Sequence, residues 1–182
     1  MKENHTKSPT FASPSCLSTP VLFLIFNRPE TTQQVFSAIR EAKPPRLYIG
    51  ADGARPENSA EAIQCELARS IATQVDWKCE VKTLFRDQNL GCRLAVSQAI
   101  DWFFGQELEG IILEEDCFPD QSFFWFCQEL LNRYRDDTRI MHIGGTNFQF
   151  GKKRTNYSYY FSRYTHLWGW ATWRRAWMFY DE

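Results

Sequence analysis

Three consecutive carboxylates, Glu114, Glu115 and Asp116, directly follow an apolar run at residues 110–113. Such a run is typical of a buried strand, so the three acids lie at the end of a core strand. Adjacent like charges repel, and they need either full solvation or a positive group among them. Carboxylate oxygens suit a hard divalent cation such as Mg²⁺ or Mn²⁺. The pattern indicates either a metal site or a solvated acidic turn, and the second possibility predicts no metal dependence.

The spacing of the acids indicates which of them would bind an ion. Successive side chains of an extended chain point to opposite sides, so Glu114 and Asp116 share one side while Glu115 faces the other. We expect Asp116 to be the first choice as a ligand and Glu114 the second. An Mg²⁺ ion usually takes one or two protein carboxylates and completes its shell with phosphate oxygens and water.

The rest of the chain supplies the elements that would position these acids. Hydrophobic periodicity predicts strands at residues 20–26, 46–50, 79–85, 110–113 and 140–143. It predicts helices between them, at residues 29–42, 59–75, 89–103 and 123–134. Alternating strands and helices form right-handed crossovers and so build a mostly parallel sheet flanked by helices. The predicted fold class is therefore α/β.

Other polar residues follow the predicted strands at the same edge of the sheet. Arg28 follows the first strand, Asp52 follows the second, and Arg93 lies in the first turn of the third helix. Ligands of parallel sheets bind at the carboxyl ends of the strands. A guanidinium or a helix N-terminus there favours phosphate. The ordinary alternative for Arg28 is a surface ion pair, and for Asp52 it is a simple Asp-Gly turn. For Arg93 the ordinary alternative is an exposed arginine on a helix with no ligand. Together the residues predict a metal-assisted site for a nucleotide diphosphate.

Motifs that hold phosphates with glycine-rich loops do not occur in this sequence. It contains neither G-x-x-x-x-G-K-[ST] nor G-x-G-x-x-G after the first strand. A bound metal would therefore have to neutralise the phosphates. The net charge of -1 gives no basic excess that would indicate nucleic acid as a partner.

Composition and length indicate one globular domain. The chain has 182 residues, of which 43% are hydrophobic and 24% are charged. Residues 1–19 are rich in Ser, Thr and Pro, and we expect a disordered lead-in there, followed by a domain over residues 20–182. The longest apolar run, "VLFLIF", is too short for a membrane helix, which favours a cytoplasmic protein with no transmembrane segment. Six cysteines without a C-x-x-C pair predict reduced thiols.

Five segments carry a resemblance to a known family. They are "PVLFLIFNRPE", "ADGARPE", "NLGCRLAVSQAIDWFF", "GIILEEDCFPDQSFFWF" and "YTHLWGWATWRRAW". Together they resemble the GT-A glycosyltransferases, with the closest likeness to the N-acetylglucosaminyltransferase I-like family and its bacterial relatives. The likeness runs from about residue 20 to residue 177. It implies a Rossmann-like fold of the nucleotide-diphospho-sugar transferase type.

The resemblance also implies roles for the acids. The family has a Glu-Asp-Asp triplet whose last Asp binds Mn²⁺, and Asp116 matches that position. Glu114 and Glu115 match the first two positions, and Glu115 departs from the usual Asp. By this likeness, Asp116 and Glu114 belong to the metal site, and Glu115 contacts the nucleotide.

Further matches concern the nucleotide and the sugar. Arg28 matches a basic residue that contacts the nucleotide, and Asp52 matches an acid that recognises the uracil edge. Arg93 falls where the family has a residue near the base. The Gly-Trp segment implies a donor-sugar or acceptor pocket, formed here by Trp168, Gly169 and Trp170.

The function implied is a metal-dependent glycosyltransferase that moves a sugar from a UDP-sugar to an acceptor hydroxyl, using Mn²⁺ or Mg²⁺. The family's inverting base is an acid downstream of the Gly-Trp segment, where this chain offers only Asp181 and Glu182. We therefore expect a domain that is incomplete at its C-terminus and a base beyond Glu182. A non-catalytic module that binds a nucleotide-sugar or a carbohydrate is the alternative. A sugar nucleotidyltransferase is disfavoured, since "FNRPE" is not its glycine-rich loop.

Overall fold

The computed structural model describes residues 17–152 and 155–181. Most of the predicted lead-in, residues 1–16, lies outside the described part. Residues 17–19 pack against the domain: Leu17 is buried in the core, and the Thr19 hydroxyl donates a hydrogen bond to Gln128 Oε1 at 3.1 Å. The packed domain thus includes Leu17.

The described chain contains six strands and five helices. The strands are β1 (Val21–Ile25), β2 (Arg46–Ala51), β3 (Glu80–Phe85), β4 (Glu109–Glu114), β5 (Ile143–Gly144) and β6 (Trp170–Trp173). The helices are α1 (Pro29–Ala42), α2 (Ser59–Ala72), α3 (Cys92–Phe104), α4 (Gln121–Arg133) and α5 (Arg174–Trp177). The predicted α/β class is confirmed. No helix in the described ranges is long and apolar enough to cross a membrane.

The sheet is mixed, with the strand order β3-β2-β1-β4-β6-β5. The first four strands of that order pair in parallel, whereas β6 is antiparallel to both β4 and β5. The prediction of a mostly parallel sheet is therefore confirmed only in part. Strand β6 was not predicted, and its first residue, Trp170, was expected in a sugar pocket instead.

The central strands form because their sequences are apolar on both faces. All five residues of β1 are buried, and β1 lies between β2 and β4. Helices α1, α2 and α4 contribute to one core cluster, and α3 contributes to the cluster that includes Leu22, Tyr48 and Phe103. The sheet is thus covered on both faces.

The strand order reverses between β1 and β4. From β1 the chain winds outward through β2 to β3, and it then returns so that β4 lies on the other side of β1. In open α/β sheets the connections diverge at such a point, and the crevice expected there, at the carboxyl ends of β1 and β4, is where ligands bind. Arg28 follows β1, and the three acids stand at the end of β4.

The described cysteines are all free thiols. Cys65, Cys117 and Cys127 are buried, Cys79 is half-buried and Cys92 is exposed. Cys16 lies outside the described residues. Burial raises the pKa of Cys117 to about 12, so this thiol beside the acidic turn is protonated at neutral pH.

Candidate functional site

The three acids form a tight turn at the crevice. Strand β4 ends at Glu114, and the backbone N–H of Cys117 donates to the Glu114 carbonyl at 3.0 Å. Because the chain turns after Glu114, the strand alternation used to place Glu114 and Asp116 on one side does not extend to Asp116. The Asp116 side chain is 44% exposed, whereas that of Glu115 is only 12% exposed. Asp116 is thus the more accessible of these two carboxylates.

A positive group does lie among these carboxylates. Arg28 Nη1 donates to Asp116 Oδ2 at 2.8 Å and lies 3.9 Å from Glu115 Oε1. Arg28 stands directly before α1, which begins at Pro29, where the missing N–H of proline is tolerated. The ends of β1 and β4 are therefore joined by an ion pair across the crevice.

The electrostatics of the turn favour a cation. Burial raises the pKa of Glu114, and the nearby charge of Asp116 raises it further, while Arg28 opposes the shift. Burial likewise raises the pKa of Glu115, again against the influence of Arg28. Burial is the larger cause of both shifts, so the protein disfavours the ionised form of these carboxylates, and Arg28 offsets this only in part. A second positive charge would stabilise the ionised turn.

The donor set fits a hard divalent ion. Asp116 offers an accessible carboxylate, and Glu114 and Glu115 adjoin it. Mg²⁺ takes only one or two protein carboxylates when phosphate oxygens complete its shell. Within residues 17–152 and 155–181, no group of three or more His, Cys, Asp or Glu side chains is arranged to hold a metal. Asp116, with Glu114 or Glu115 beside it, is the position where an ion would bind.

Asp52 lies at the end of β2, and its carboxylate is bound to backbone. Oδ1 accepts from the N–H groups of Gly53 and Leu90 at 3.0 Å each, and Oδ2 accepts from Leu90 at 3.1 Å and from Gly91 at 3.0 Å. The residue is only 8% exposed. These contacts hold residues 88–91, here called the 88–91 loop, against the end of β2. Recognition of a base by Asp52 stays a prediction.

Arg93 is the second residue of α3 and is exposed. The helix begins after Gly91, whose φ of 77° suits glycine and whose N–H is bound by Asp52. The 88–91 loop thus connects Asp52 to the N-terminal turn that carries Arg93. The predicted nucleotide residues fall into two contacting groups, Arg28 with the acidic turn and Asp52 with the start of α3.

The structure separates the three predicted pocket residues. Trp168 is 60% exposed, and its Nε1 donates to the Asp116 carbonyl at 3.0 Å. Gly169 is buried, and its backbone φ is 68°, a value that residues with a side chain rarely adopt. Trp170 is 7% exposed within β6, and its ring stacks on His142 with centroids 5.1 Å apart. Trp168 therefore borders the acidic turn, whereas Trp170 belongs to the core.

A cleft of about 1220 Å³ adjoins this turn. Trp168, Gly169 and Cys117 line it on the side of the acids, and aromatic residues from the segment before β6 line it elsewhere. The family likeness implied such a pocket at Trp168, Gly169 and Trp170. It did not single out Phe118, which also lines the cleft and is 69% exposed.

The sequence did not predict a network of hydrogen bonds that lies at the end of β1, around Glu61. Glu61 is 4% exposed; it accepts hydrogen bonds from Asn27 Nδ2 at 2.9 Å and from the Arg55 backbone N–H at 2.8 Å, and it pairs with the Arg55 guanidinium. The hydrogen bond from the Arg55 side chain is the main cause that lowers the pKa of Glu61 to about 2. The signal in the sequence was Asn58 followed three residues later by Glu61, a helix N-capping pattern, and the Asn58 side chain does accept from the Glu61 N–H.

No protein-family model matches the chain, and comparison with curated proteins finds no match.

Proposed function

We propose that this chain is a metal-dependent glycosyltransferase of GT-A type that takes its sugar from a nucleotide-diphosphate donor, a UDP-sugar. The observation that carries the proposal is the ion pair at the reversal of the strand order. Arg28 from the end of β1 meets Asp116 from the end of β4 at 2.8 Å. A cationic group and an accessible carboxylate at the carboxyl ends of these strands suit a diphosphate and its counter-ion.

The acids and Arg28 would share the work of holding the diphosphate. Asp116, with Glu114 or Glu115 beside it, would hold a divalent ion, Mn²⁺ or Mg²⁺. When bound, that ion supplies positive charge that offsets the charge developing on the leaving diphosphate. Arg28 would then exchange its contact with Asp116 for a phosphate oxygen, since guanidinium groups bind both anions well.

The remaining residues support the proposal by their position. The 88–91 loop and the N-terminus of α3, with Arg93, lie at the carboxyl ends of β2 and β3, on the side of β1 away from β4. A nucleoside linked to the diphosphate could extend in that direction. Trp168 presents a largely exposed indole beside the Asp116 carbonyl, where a flat apolar face suits a sugar ring.

The chemistry that follows is a displacement at the anomeric carbon. An acceptor hydroxyl attacks this carbon and gives up its proton to a base, the bond to the diphosphate oxygen breaks, the nucleoside diphosphate leaves with the bonding electron pair, and the configuration inverts. The adjoining cleft, lined by Trp168 and by tyrosines, is large enough to admit an acceptor. No base for the acceptor hydroxyl is assigned among the described residues.

The experiment that tests the proposal is a comparison of the wild type with Asp116→Ala. We expect the variant to lose Mn²⁺-dependent binding of a UDP-sugar while its melting temperature changes little, because the Asp116 side chain is partly exposed and its partner Arg28 is exposed. The matched control is Asp136→Asn, which removes one negative charge from an exposed position after α4. Unchanged affinity in Asp116→Ala would refute the metal assignment. Binding without sugar transfer would instead favour the binding-module alternative.

A further inference from the structure

The Asp52 carboxylate is almost fully engaged with the protein's own backbone. Both oxygens accept hydrogen bonds, and the donors are the N–H groups of Gly53, Leu90 and Gly91 at 3.0 to 3.1 Å. The residue is 8% exposed. A ligand atom that competed for these oxygens would leave the buried N–H of Gly53 and the partly buried N–H groups of Leu90 and Gly91 with weakened partners, and an unpaired buried donor is costly.

Independent contacts hold the same two segments together. Asn89 Nδ2 donates to the Gly53 carbonyl at 2.7 Å. Gly53 packs so closely that a Cβ atom there would lie 2.5 Å from the backbone carbon of Gln88. Arg69 on α2 donates to the carbonyl oxygens of Asp52 and Arg86, at 3.1 and 2.6 Å. The end of β2 and the 88–91 loop therefore form one closely bonded unit.

We propose that Asp52 is a positioning residue that builds the surface on which the nucleoside lies, and that it does not itself contact the base. Its carboxylate fixes the 88–91 loop and the start of α3, and contacts to the base come from the backbone of that loop. This inference rests on the proposed function, because it takes a nucleotide as the ligand. It assigns to Asp52 a different role from the one that the family likeness implied.

The two roles make different predictions for Asp52→Asn. The amide of Asn keeps the size of the side chain but turns an NH₂ group towards backbone donors, so the 88–91 loop should loosen. In the ligand-free variant we expect the amides of Leu90 and Gly91 to exchange hydrogen at least about tenfold faster. With Mn²⁺ present, the affinities for UDP, CDP and ADP should all fall by the same factor.

Direct recognition of the base gives the opposite pattern. The affinity for UDP would then fall while those for CDP and ADP stayed constant or rose, and exchange at Leu90 and Gly91 would not change. That result would overturn the inference. Asp136→Asn again serves as the control for loss of one negative charge, and it should leave both the exchange rates and the ratios of affinities at wild-type values.

Gly53→Ala is a second variant that leaves the carboxylate in place. Its new Cβ would push the Gln88 backbone away, so it should reproduce the uniform loss of nucleotide affinity seen in Asp52→Asn. Full affinity for all three nucleotides in Gly53→Ala would contradict the inference.

The outcomes also separate this inference from the proposed function. If the wild type binds UDP with Mn²⁺ but exchange is unchanged in Asp52→Asn, only the positioning role is wrong. If the wild type binds none of the three nucleotides, the proposed function is wrong, and the role of Asp52 towards a nucleotide is wrong with it.

Discussion

Replacement of Arg28 by Gln should affect metal binding and nucleotide binding in opposite directions. In the ligand-free protein Arg28 Nη1 contacts Asp116 Oδ2 at 2.8 Å, so it competes with a cation for this carboxylate. The two side chains are 57% and 44% exposed, and an exposed pair contributes only about 0.2–1 kcal/mol. Its removal should therefore strengthen binding of Mn²⁺ alone by no more than about fivefold.

The same substitution removes a contact that the proposed mechanism needs. A hydrogen bond between charged groups contributes about 1.5–3 kcal/mol, so the affinity for UDP in the presence of Mn²⁺ should fall by roughly ten- to a hundredfold. The affinity for Mn²⁺ alone is obtained from the concentration of free Mn²⁺, measured by electron paramagnetic resonance. The affinity for UDP in the presence of Mn²⁺ is obtained by calorimetric titration. Arg163→Gln, an exposed arginine elsewhere on the cleft, is the control for lost positive charge. If Arg28→Gln weakens both binding steps, Arg28 does not compete with the ion and the reasoning is refuted.

Three further substitutions test the surroundings of the site. Glu61→Gln should lower the melting temperature at pH 7. Arg55 lowers the pKa of Glu61 to about 2 in the folded protein, so the stabilisation from the ionised carboxylate is lost as the pH falls from 4.5 towards 2. The difference in melting temperature between wild type and variant should therefore shrink over this range, and a constant difference would contradict this. Gly169→Ala should lower the free energy of unfolding by about 1–2 kcal/mol in urea titrations, because the φ of Gly169 is 68°. Gly144→Ala, where a Cβ meets only ordinary contacts, should stay near wild type, and equal losses in the two variants would refute the strain argument. Trp168→Phe removes the hydrogen-bond donor to the Asp116 carbonyl. The affinity for UDP in the presence of Mn²⁺, measured by calorimetry, should fall roughly two- to tenfold. An unchanged affinity would show that this hydrogen bond does not hold the turn.

Hydrophobic runs were enough to predict the central strands. The run at residues 20–26 became β1, Val21–Ile25, because a strand buried on both faces is apolar at every position. Strand β6 was not predictable in this way. Its four residues, Trp170–Trp173, follow residues 145–152 and 155–169, which contain no helix or strand, and their strand conformation depends on pairing with β4 at Ile112.

The sequence predicted that the site residues lie at one edge of the sheet, but it did not predict which of their side chains contact each other. The parallel order of the strands places Arg28 and Asp116 on one edge, yet their ion pair depends on a turn after Glu114 that alternation cannot predict. The binding of Asp52 to the backbone of Leu90 was equally inaccessible, because residues 38 positions apart meet only in the folded sheet. Local patterns indicate the elements, and tertiary contacts decide which side chains remain free for a ligand.

The most direct test of the central claim is calorimetric titration of the purified chain with UDP, with and without Mn²⁺. The proposed function predicts saturable binding when Mn²⁺ is present and a much weaker affinity when it is removed by a chelator, because Asp116 would hold the ion whose charge offsets that of the diphosphate. Equal binding of UDP in both conditions would contradict the metal-dependent mechanism. No binding in either condition would contradict the assignment of this crevice to a nucleotide-sugar.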